Sequence, residues 1–299
     1  MKMKKNLLLL FYLLPIFSFS QQSTSSENAY NKEIEQWHQK RVTSLKSETG
    51  WLNIVGLYWL KDGENTFGSS NENSIVFPKE KADEKLGSFI LKDGIVNMNV
   101  VPNVSIQAGN KTFTSGIVFD EKKDTTIILS HKNLRWFIIK RGTKYGVRLR
   151  DLESEALKNF TFIDRFPVNP KWKITAVYEA PPKDKTIPIN DVIGLTTETP
   201  FGGTLYFEIE GKKFQLDATL EGNELFIVFA DETTGNETYG GGRFLYAEKP
   251  STGTTVILDF NKAYNPPCCF THFATCPLPT VKNHLAEPIS AGEKTYGHH

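Results

Sequence analysis

The sequence predicts a mainly β protein with one helix near its N-terminus. Short segments of alternating apolar and polar residues are separated by clusters of Gly, Asn and Asp, which is the pattern of strands and turns. The 299 residues include 22 glycines and 15 prolines and are 12% aromatic, a composition that favours short strands with many turns. In one stretch before the predicted strands, apolar residues recur at three- and four-residue steps, which is the spacing of a helix.

Residues 1–20 have the pattern of a secretory signal peptide. Three lysines lie within residues 1–5, an almost unbroken apolar run fills residues 6–19, and Ser18 and Ser20 form a small-x-small end. The apolar run is shorter than the roughly 20 residues of a transmembrane helix. We therefore expect cleavage after Ser20, a periplasmic or secreted protein, and no stable membrane insertion after cleavage.

The charge balance argues against nucleic acid as a partner. Lys+Arg number 35 and Asp+Glu 34, for a net charge of +1. Removal of residues 1–20 takes away three lysines and no acids, so the net charge becomes 32 − 34, or −2. Such a chain has no general attraction for polyanions. The partner we expect is an unknown small molecule or an envelope protein, and we predict no nucleic-acid binding.

The next segment, residues 21–49, is interpreted as a polar tether over 21–28 followed by a helix over 27–46. Side chains at three- and four-residue steps form one stripe of this helix, and Gly50 ends it. The stripe consists of Tyr30, Ile34, Trp37, Arg41 and Leu45.

Two antiparallel β units are predicted to follow, over residues 50–158 and 159–299. Strands are predicted at 75–77, 88–91, 95–100, 112–119, 125–129, 136–140, 173–179, 203–210, 213–220, 224–230, 244–247 and 254–260. Dipeptides such as Asp93-Gly94 and Glu210-Gly211 mark hairpin turns. Residues 151–159 resemble a linker with a short helix, and residues 261–296 are Pro-rich and irregular.

Several strings resemble the bacterial family DUF1684, a domain of unknown function. They are GWLNIVGLYWL (50–60), GENTFG (63–68), IVFP (75–78), TYGGGRF (238–244), LDFNKAYNPPC (258–268), TCPLP (275–279) and AGEK (291–294). The resemblance covers nearly all of the chain after residue 20 and implies a shared fold, but no activity. The family has a small residue after the first Cys, so the resemblance assigns no role to Cys269 or His272.

The first β unit is also similar to forkhead-associated (FHA) β-sandwiches. The similarity rests on residues 65–70, 74–77 and 136–140, and it implies an FHA-like sandwich over 50–158. FHA domains read phosphothreonine with an Arg after the first Gly, where this chain has Ser69, and no Ser-x-x-His follows. Phosphopeptide binding is therefore not predicted. For the second unit we expect a barrel or sandwich closed by an irregular Pro-rich tail.

The glycine-rich loop before Arg243 is the first candidate ligand site. Backbone N–H groups at Gly241 and Gly242, together with the Arg243 guanidinium, can form an anion cradle, with Asp231 just upstream. The alternative is a glycine-relieved bulge in which Arg243 pairs with a neighbouring carboxylate.

A second candidate group follows a predicted strand end. Asp259 could act as a general acid or base, with Tyr264 and Asn265 orienting a substrate. The alternative is that these side chains bind the irregular backbone around them. With no recognisable catalytic motif, we predict a non-catalytic ligand-binding or interaction module. The alternative is a hydrolase with a polar pocket around Arg243, Asp259, Tyr264 and Asn265.

The three cysteines leave several possibilities open. In an exported protein Cys268 and Cys276 could form a disulfide, whereas the adjacent Cys268 and Cys269 are poor partners. Buried free thiols are the second possibility. The third is metal binding, or a thiolate nucleophile, with His272 and His284 as ligands or bases, but the spacing fits no common zinc pattern. We predict no metal and no cofactor.

Two further sets remain ambiguous. Arg135, Arg148, Arg150 and Arg165 form a loose basic set near the boundary of the two units, and either an acidic ligand or ion pairs between the units would explain them. The aromatic residues Trp51, Tyr58, Trp59 and Trp136 could stack against a sugar, but core packing is the favoured interpretation.

Overall fold

A computed structural model describes residues 19–123 and 125–297. The fold is mainly β, as predicted, with helix α1 (Phe19–Lys46) ahead of two largely antiparallel β units. Most of the predicted signal peptide, residues 1–18, lies outside the described residues. Within the described ranges, no helix is long and apolar enough to cross a membrane.

Helix α1 is longer than the sequence suggested. It begins at Phe19, so the backbone over 21–28 is helical where a tether was expected. Adding turns to an already nucleated helix is far easier than starting one, which allows the polar stretch to continue it. The predicted stripe faces the rest of the protein, and its members Ile34 and Leu45 are each 1% exposed.

The first β unit is a sandwich of two six-stranded sheets. One sheet has the order β1-β12-β11-β10-β6-β7, formed by β1 (Ile54–Trp59), β6 (Ile106–Ala108), β7 (Lys111–Phe113), β10 (Leu129–His131), β11 (Leu134–Arg141) and β12 (Lys144–Asp151). The other has the order β3-β2-β4-β5-β8-β9, formed by β2 (Gly63–Gly68), β3 (Ile75–Val76), β4 (Gly87–Lys92), β5 (Ile95–Val100), β8 (Ser115–Asp120) and β9 (Thr125–Thr126).

The core of this sandwich is built around aromatic side chains. Trp136 is fully buried and meets Phe67 and Phe77 edge-on, at ring-centroid distances of 5.8 and 5.6 Å. Such edge-to-face contacts add to the gain from burial alone. The core interpretation of Trp136 is confirmed.

Strand β12 is absent from the strands predicted from the sequence, because burial of both faces removes the usual alternation of buried apolar and exposed polar residues, and one of its faces carries arginines. Val147 and Leu149 point into the sandwich core, whereas Arg148 and Arg150 alternate with them and point the opposite way. Arg148 is nevertheless only 4% exposed. The outer face of this sheet is therefore covered by the second β unit.

The second unit is a strongly curved sheet with the order β18-β17-β16-β15-β13-β19. β19 lies beside β18, so the sheet nearly closes into a barrel. A short helix α2 (Glu155–Asn159) precedes it. The strands are β13 (Lys173–Glu179), β14 (Thr186–Asn190), β15 (Thr196–Ile209), β16 (Lys212–Glu221), β17 (Glu224–Asp231), β18 (Arg243–Glu248), β19 (Thr255–Asp259) and β20 (His284–Leu285).

A bulge in β15 divides the strand into two segments that pair with different strands. Gly203 has a φ of +124°, and a Cβ there would lie 2.5 Å from the Tyr178 ring, so glycine is required. Beyond the bulge the strand belongs to the barrel. Before it, β15 pairs with β14 to form a hairpin arm that projects from the barrel.

The C-terminal segment is irregular, as predicted. It contains the short 3₁₀ helices Phe260–Lys262, Pro267–Cys269 and Val281–Asn283, and the two-residue strand β20. It passes between the two units, where the hydroxyl of Thr271 donates to the carbonyl of Ile54 at 3.1 Å. This segment joins the sandwich to the barrel.

Replacing Trp136 by alanine tests the sandwich core. The Trp136→Ala variant should lose about 3–5 kcal/mol of unfolding free energy, because the cavity cannot be refilled by its neighbours. Urea unfolding followed by circular dichroism measures the loss. The control is Val281→Ala, at a side chain that is 92% exposed, where the change should stay within about 0.5 kcal/mol. Equal effects at the two positions would contradict this description of the core.

Candidate ligand-binding cleft

A cleft of about 340 Å³ lies where helix α1, the sandwich, the barrel and the C-terminal segment meet. Clefts between structural units are common ligand sites. Its lining residues are Arg41 from α1, Trp51 and Arg141 from the sandwich, Glu221, Phe226, Phe244 and Tyr246 from the barrel, and Tyr264, Pro267, Ala274, Thr275, Cys276 and Pro277 from the C-terminal segment.

Aromatic rings form one wall of the cleft. The rings of Tyr246 and Tyr264 are stacked with centroids 6.4 Å apart, and the Arg41 guanidinium lies 4.6 Å from the Tyr264 centroid. Burial raises the pKa of both tyrosines well above the ordinary value, so both stay protonated at neutral pH. The Tyr246 hydroxyl donates to Glu221 at 2.6 Å.

The barrel supplies this wall because β17 is buried on both faces. Leu225, Ile227 and Phe229 point into the barrel interior, while Phe226 and Val228 point outward. The outward pair packs with Phe244, Cys268, Ala274 and Cys276 in a separate apolar cluster. One face of β17 thus packs in the barrel core, and the other face packs beside the cleft.

The opposite wall belongs to a sheet face that carries unusual positive charge. Arg135 on β11 stands directly opposite Arg150 on β12, and Phe137 stands opposite Arg148. Arg141 lies at the end of the same strand. Within the described ranges, none of these four arginines has a carboxylate oxygen within 4.0 Å. Like charges placed directly across a strand pair repel each other and destabilise the sheet. On this face, no ion pair among the described residues offsets the repulsion between the arginines.

Arg148 is the most unusual of the four. Its guanidinium lies 5.3 Å from the centroid of the Trp51 ring, which lines the cleft. The side chain is buried, and its Nε and Nη2 atoms have no hydrogen-bond partner among the described residues. Burial, with help from the charges of Arg141 and Arg150, lowers the pKa of Arg148 to about 10. The group remains charged at neutral pH, without a compensating acid.

The two arginines that line the cleft, Arg41 and Arg141, have different partners. Arg141 donates to the Thr275 hydroxyl at 2.9 Å. Arg41 donates to the carbonyl of Asn265 at 2.8 Å, and its Nε lies 3.4 Å from the buried carboxylate of Glu293. Of the cleft arginines, only Arg41 therefore has an acidic partner in the described structure.

Comparison with protein families gives a relationship but no activity. Residues 158–294 match the model of DUF1684, described as a protein of unknown function. The second β unit matches the DUF1684 family. The strings at 50–78, which also resembled the family, lie outside the matched range. No curated protein matches the chain.

Three solved structures are similar to parts of this chain, each with a TM-score below 0.5. The solution NMR structure of an uncharacterized protein from Haloarcula marismortui is 29% identical, covers 48% of this chain and 82% of its own, and has a TM-score of 0.41. A domain from a study of phosphothreonine-dependent FHA interactions is 9% identical, with coverages of 31% and 92% and a TM-score of 0.23. The FhaA FHA domain is 10% identical, with coverages of 31% and 97% and a TM-score of 0.20.

In the region that matches DUF1684, Arg243 is not accessible to a ligand at the glycine-rich loop. Arg243 is fully buried, and its Nη2 lies 2.7 Å from a carboxylate oxygen of Asp231. It also donates to the carbonyl oxygens of Ile289 and Ala291. A Cβ at Gly242 would lie 2.5 Å from the carbonyl oxygen of Phe229. The alternative interpretation, close packing with an internal ion pair, describes this loop.

The DUF1684 string around Asp259 also has structural partners. Asp259 accepts a hydrogen bond from the Tyr30 hydroxyl at 2.7 Å, which fixes helix α1 to the barrel. Asn265 is fully buried and donates to the carbonyl of Lys294 at 2.7 Å. Of the four residues in the hydrolase alternative, only Tyr264 lines the cleft. Asp259 lines a different cavity, and Arg243 and Asn265 are fully buried, so the four side chains do not converge on the cleft.

The cysteines of the DUF1684 region lie behind the cleft wall. All three cysteine side chains are buried, and the N–H of Cys268 donates to the sulfur of Cys276 at 3.0 Å. A hydrogen bond from Cys276 lowers the pKa of Cys268, whereas burial raises the pKa of Cys269 to about 12. The Cys268–Cys276 disulfide stays a prediction. No cluster of three or more potential metal ligands occurs in the described part of the chain.

The sequence patterns predict only part of the cleft and its surroundings. They place Arg148 and Trp51 in separate groups and Arg41 in the helix stripe. The alternation of arginine with apolar residues along β12 is the signal that indicates a buried arginine near the cleft, because a strand buried on both faces places such arginines inside the protein.

The Arg243–Asp231 pair should be essential for stability. Asp231→Asn should lower the free energy of unfolding by about 3–5 kcal/mol, because it leaves the Arg243 charge buried without its counter-ion. Urea unfolding measures this. The control is Glu237→Gln, which breaks a half-exposed pair with Lys294 and should change stability by less than about 1 kcal/mol. Similar small losses for both variants would show that the internal pair is not a structural anchor.

Proposed function

We propose that this protein is a non-catalytic binding module for a small organic anion, which occupies the cleft between the two β units. The observation that carries the proposal is Arg148, which lies behind the Trp51 ring that lines the cleft. Among the described residues, two nitrogen atoms of this buried guanidinium have no hydrogen-bond partner, and no carboxylate oxygen lies within 4.0 Å of it. A buried charge without a counter-ion is strongly unfavourable. A bound anion would supply the counter-charge.

The cleft's chemistry supports a ligand with both a charged and an apolar part. Guanidinium groups bind carboxylate, phosphate or sulfonate groups through paired hydrogen bonds. The aromatic wall formed by Phe226, Phe244 and the stacked tyrosines favours a planar or apolar body against it. A free inorganic anion would satisfy the arginine side but leave the aromatic side unfilled.

A panel of organic acids tests this proposal. We expect carboxylates, sulfonates and phosphate esters with apolar bodies to raise the melting temperature, and their uncharged amides or alcohols to have no effect. A ligand at about 100 times its Kd adds about 2.7 kcal/mol of stability, which differential scanning fluorimetry detects readily. If no acid in the panel raises the melting temperature more than its uncharged analogue, the proposal is wrong.

The variant Arg148→Met separates ligand binding from stability. The folded pKa of Arg148, about 10, lies below the ordinary arginine value, so folding favours loss of this proton. Stability is therefore regained only as the pH rises through about 10 toward that ordinary value, and at neutral pH the full penalty is present. Arg148→Met should raise the unfolding free energy of the ligand-free protein by about 1–4 kcal/mol while abolishing the response to the acids.

The control for this variant is Arg165→Met. It removes the same type of charge from a partly exposed pair with Glu35 on helix α1, outside the cleft lining, so the response to acids should remain. A destabilised Arg148→Met protein that still responds to acids would contradict the role given to Arg148.

We also propose that the chain is exported, on the support of the charged, apolar and small-residue pattern of residues 1–20. An oxidising compartment would favour a disulfide between Cys268 and Cys276, whose residues already lie in contact.

Intact-mass spectrometry of protein isolated from the cell envelope tests both points. Cleavage after Ser20 predicts a chain beginning at Gln21, and alkylation under denaturing, non-reducing conditions should label one thiol of the three. The variant Cys276→Ser should label at two. A full-length mass contradicts export by this signal, and three labelled thiols contradict the disulfide.

A further inference from the structure

A second cavity adjoins the cleft beneath the hairpin arm. This chamber has a volume of about 100 Å³, several times the roughly 10–15 Å³ that one water needs. It shares three lining residues with the cleft, Glu221, Phe226 and Pro277. The cleft and the chamber are therefore adjacent, and Phe226 contributes to the lining of both.

Most of the surface that the chamber presents is apolar, although half of its lining residues carry polar groups. On β14, Ile187 and Ile189 are half-buried while the residues between and beside them are exposed. They line the chamber from the arm, and Val228 and Leu278 line it from the barrel and the C-terminal segment. Among the polar side chains of the lining, Asn283 donates to the carbonyls of Asp217 and Val228 at 2.8 Å each, whereas the buried Thr280 hydroxyl has no hydrogen-bond partner among the described residues.

The arm that covers the chamber is fixed at its tip. The N–H of Val192 donates to the carbonyl of Cys276 at 3.0 Å, and the N–H of Leu278 donates to the carbonyl of Asn190 at 2.8 Å. These bonds join the arm to the same segment that forms a wall of the cleft. An apolar space held open by fixed backbone is poorly suited to water and well suited to hydrocarbon.

Building on the proposed anion site, we infer that the ligand is an amphipathic acid with an unbranched apolar chain. Its anionic head occupies the arginine side of the cleft, near Arg148 and Arg141. Its chain passes along Phe226 into the chamber under the arm. The chamber's small volume limits the chain that it can enclose, so the site selects for short-chain acids over long ones.

A series of straight-chain carboxylates, from acetate to decanoate, tests this inference by isothermal titration calorimetry. Below the critical micelle concentration of each acid, affinity should rise about fourfold for each added methylene group until the chamber is full, and then level off. Ile189→Trp fills the chamber and should abolish the dependence on chain length while leaving the affinity for the shortest acids unchanged. Thr199→Phe, on the paired strand of the arm, serves if Ile189→Trp does not fold.

The matched control is Val177→Trp, at a barrel side chain that is 59% exposed, where the chain-length dependence should be retained. If short acids bind through Arg148 but affinity does not grow with chain length, the inference fails and the proposed function stands. A chain-length dependence that survives filling of the chamber also overturns the inference, because the chain would then lie elsewhere. If no acid of any length binds, the proposed function itself fails.

Discussion

The ion pair between Arg243 and Asp231 is the interaction on which the C-terminal half depends. The C-terminal segment has almost no strand pairing of its own, so its carbonyl groups need donors from elsewhere. Arg243 supplies them to Ile289 and Ala291 from inside the barrel. Just beyond, the buried Glu293 accepts from Arg41 of helix α1 and from the N–H of Asn265. One buried arginine thus fixes the segment that in turn receives the helix and forms a wall of the cleft.

Arg243 and Arg148 are both buried, but their surroundings differ in a way that separates structure from function. Arg243 has an acid and two carbonyl groups, whereas Arg148 has an aromatic ring and two neighbouring arginines. A satisfied buried charge fixes a fold, and an unsatisfied one lowers its stability. Proteins tend to keep such unfavourable groups where function requires them. This contrast is the basis for assigning Arg148 to ligand binding and Arg243 to folding.

The cleft forms only where the two β units of the chain meet, because each unit supplies part of its lining. The aromatic wall comes from the barrel, within the residues that match DUF1684, but Arg141 and Arg148 come from the sandwich, outside them. The family match therefore does not include the residues that carry the proposed anion binding. The chamber is also lined by more than one part of the fold. Its cover is the hairpin arm, which the Gly203 bulge separates from the barrel.

The fold class, the N-terminal helix with its buried stripe and most barrel strands can be predicted from the sequence, because those features depend on the local spacing of apolar residues and on turn dipeptides. The sequence also identified Arg148 and Trp51 as residues of interest. Which arginines have acidic partners depends on residues far apart in the chain, so this is visible only in the folded protein. Strand pairing brings Arg243 to Asp231, whereas Arg148 has no acidic partner among the described residues. Local patterns show which residue types are present, and long-range packing decides which charges are paired.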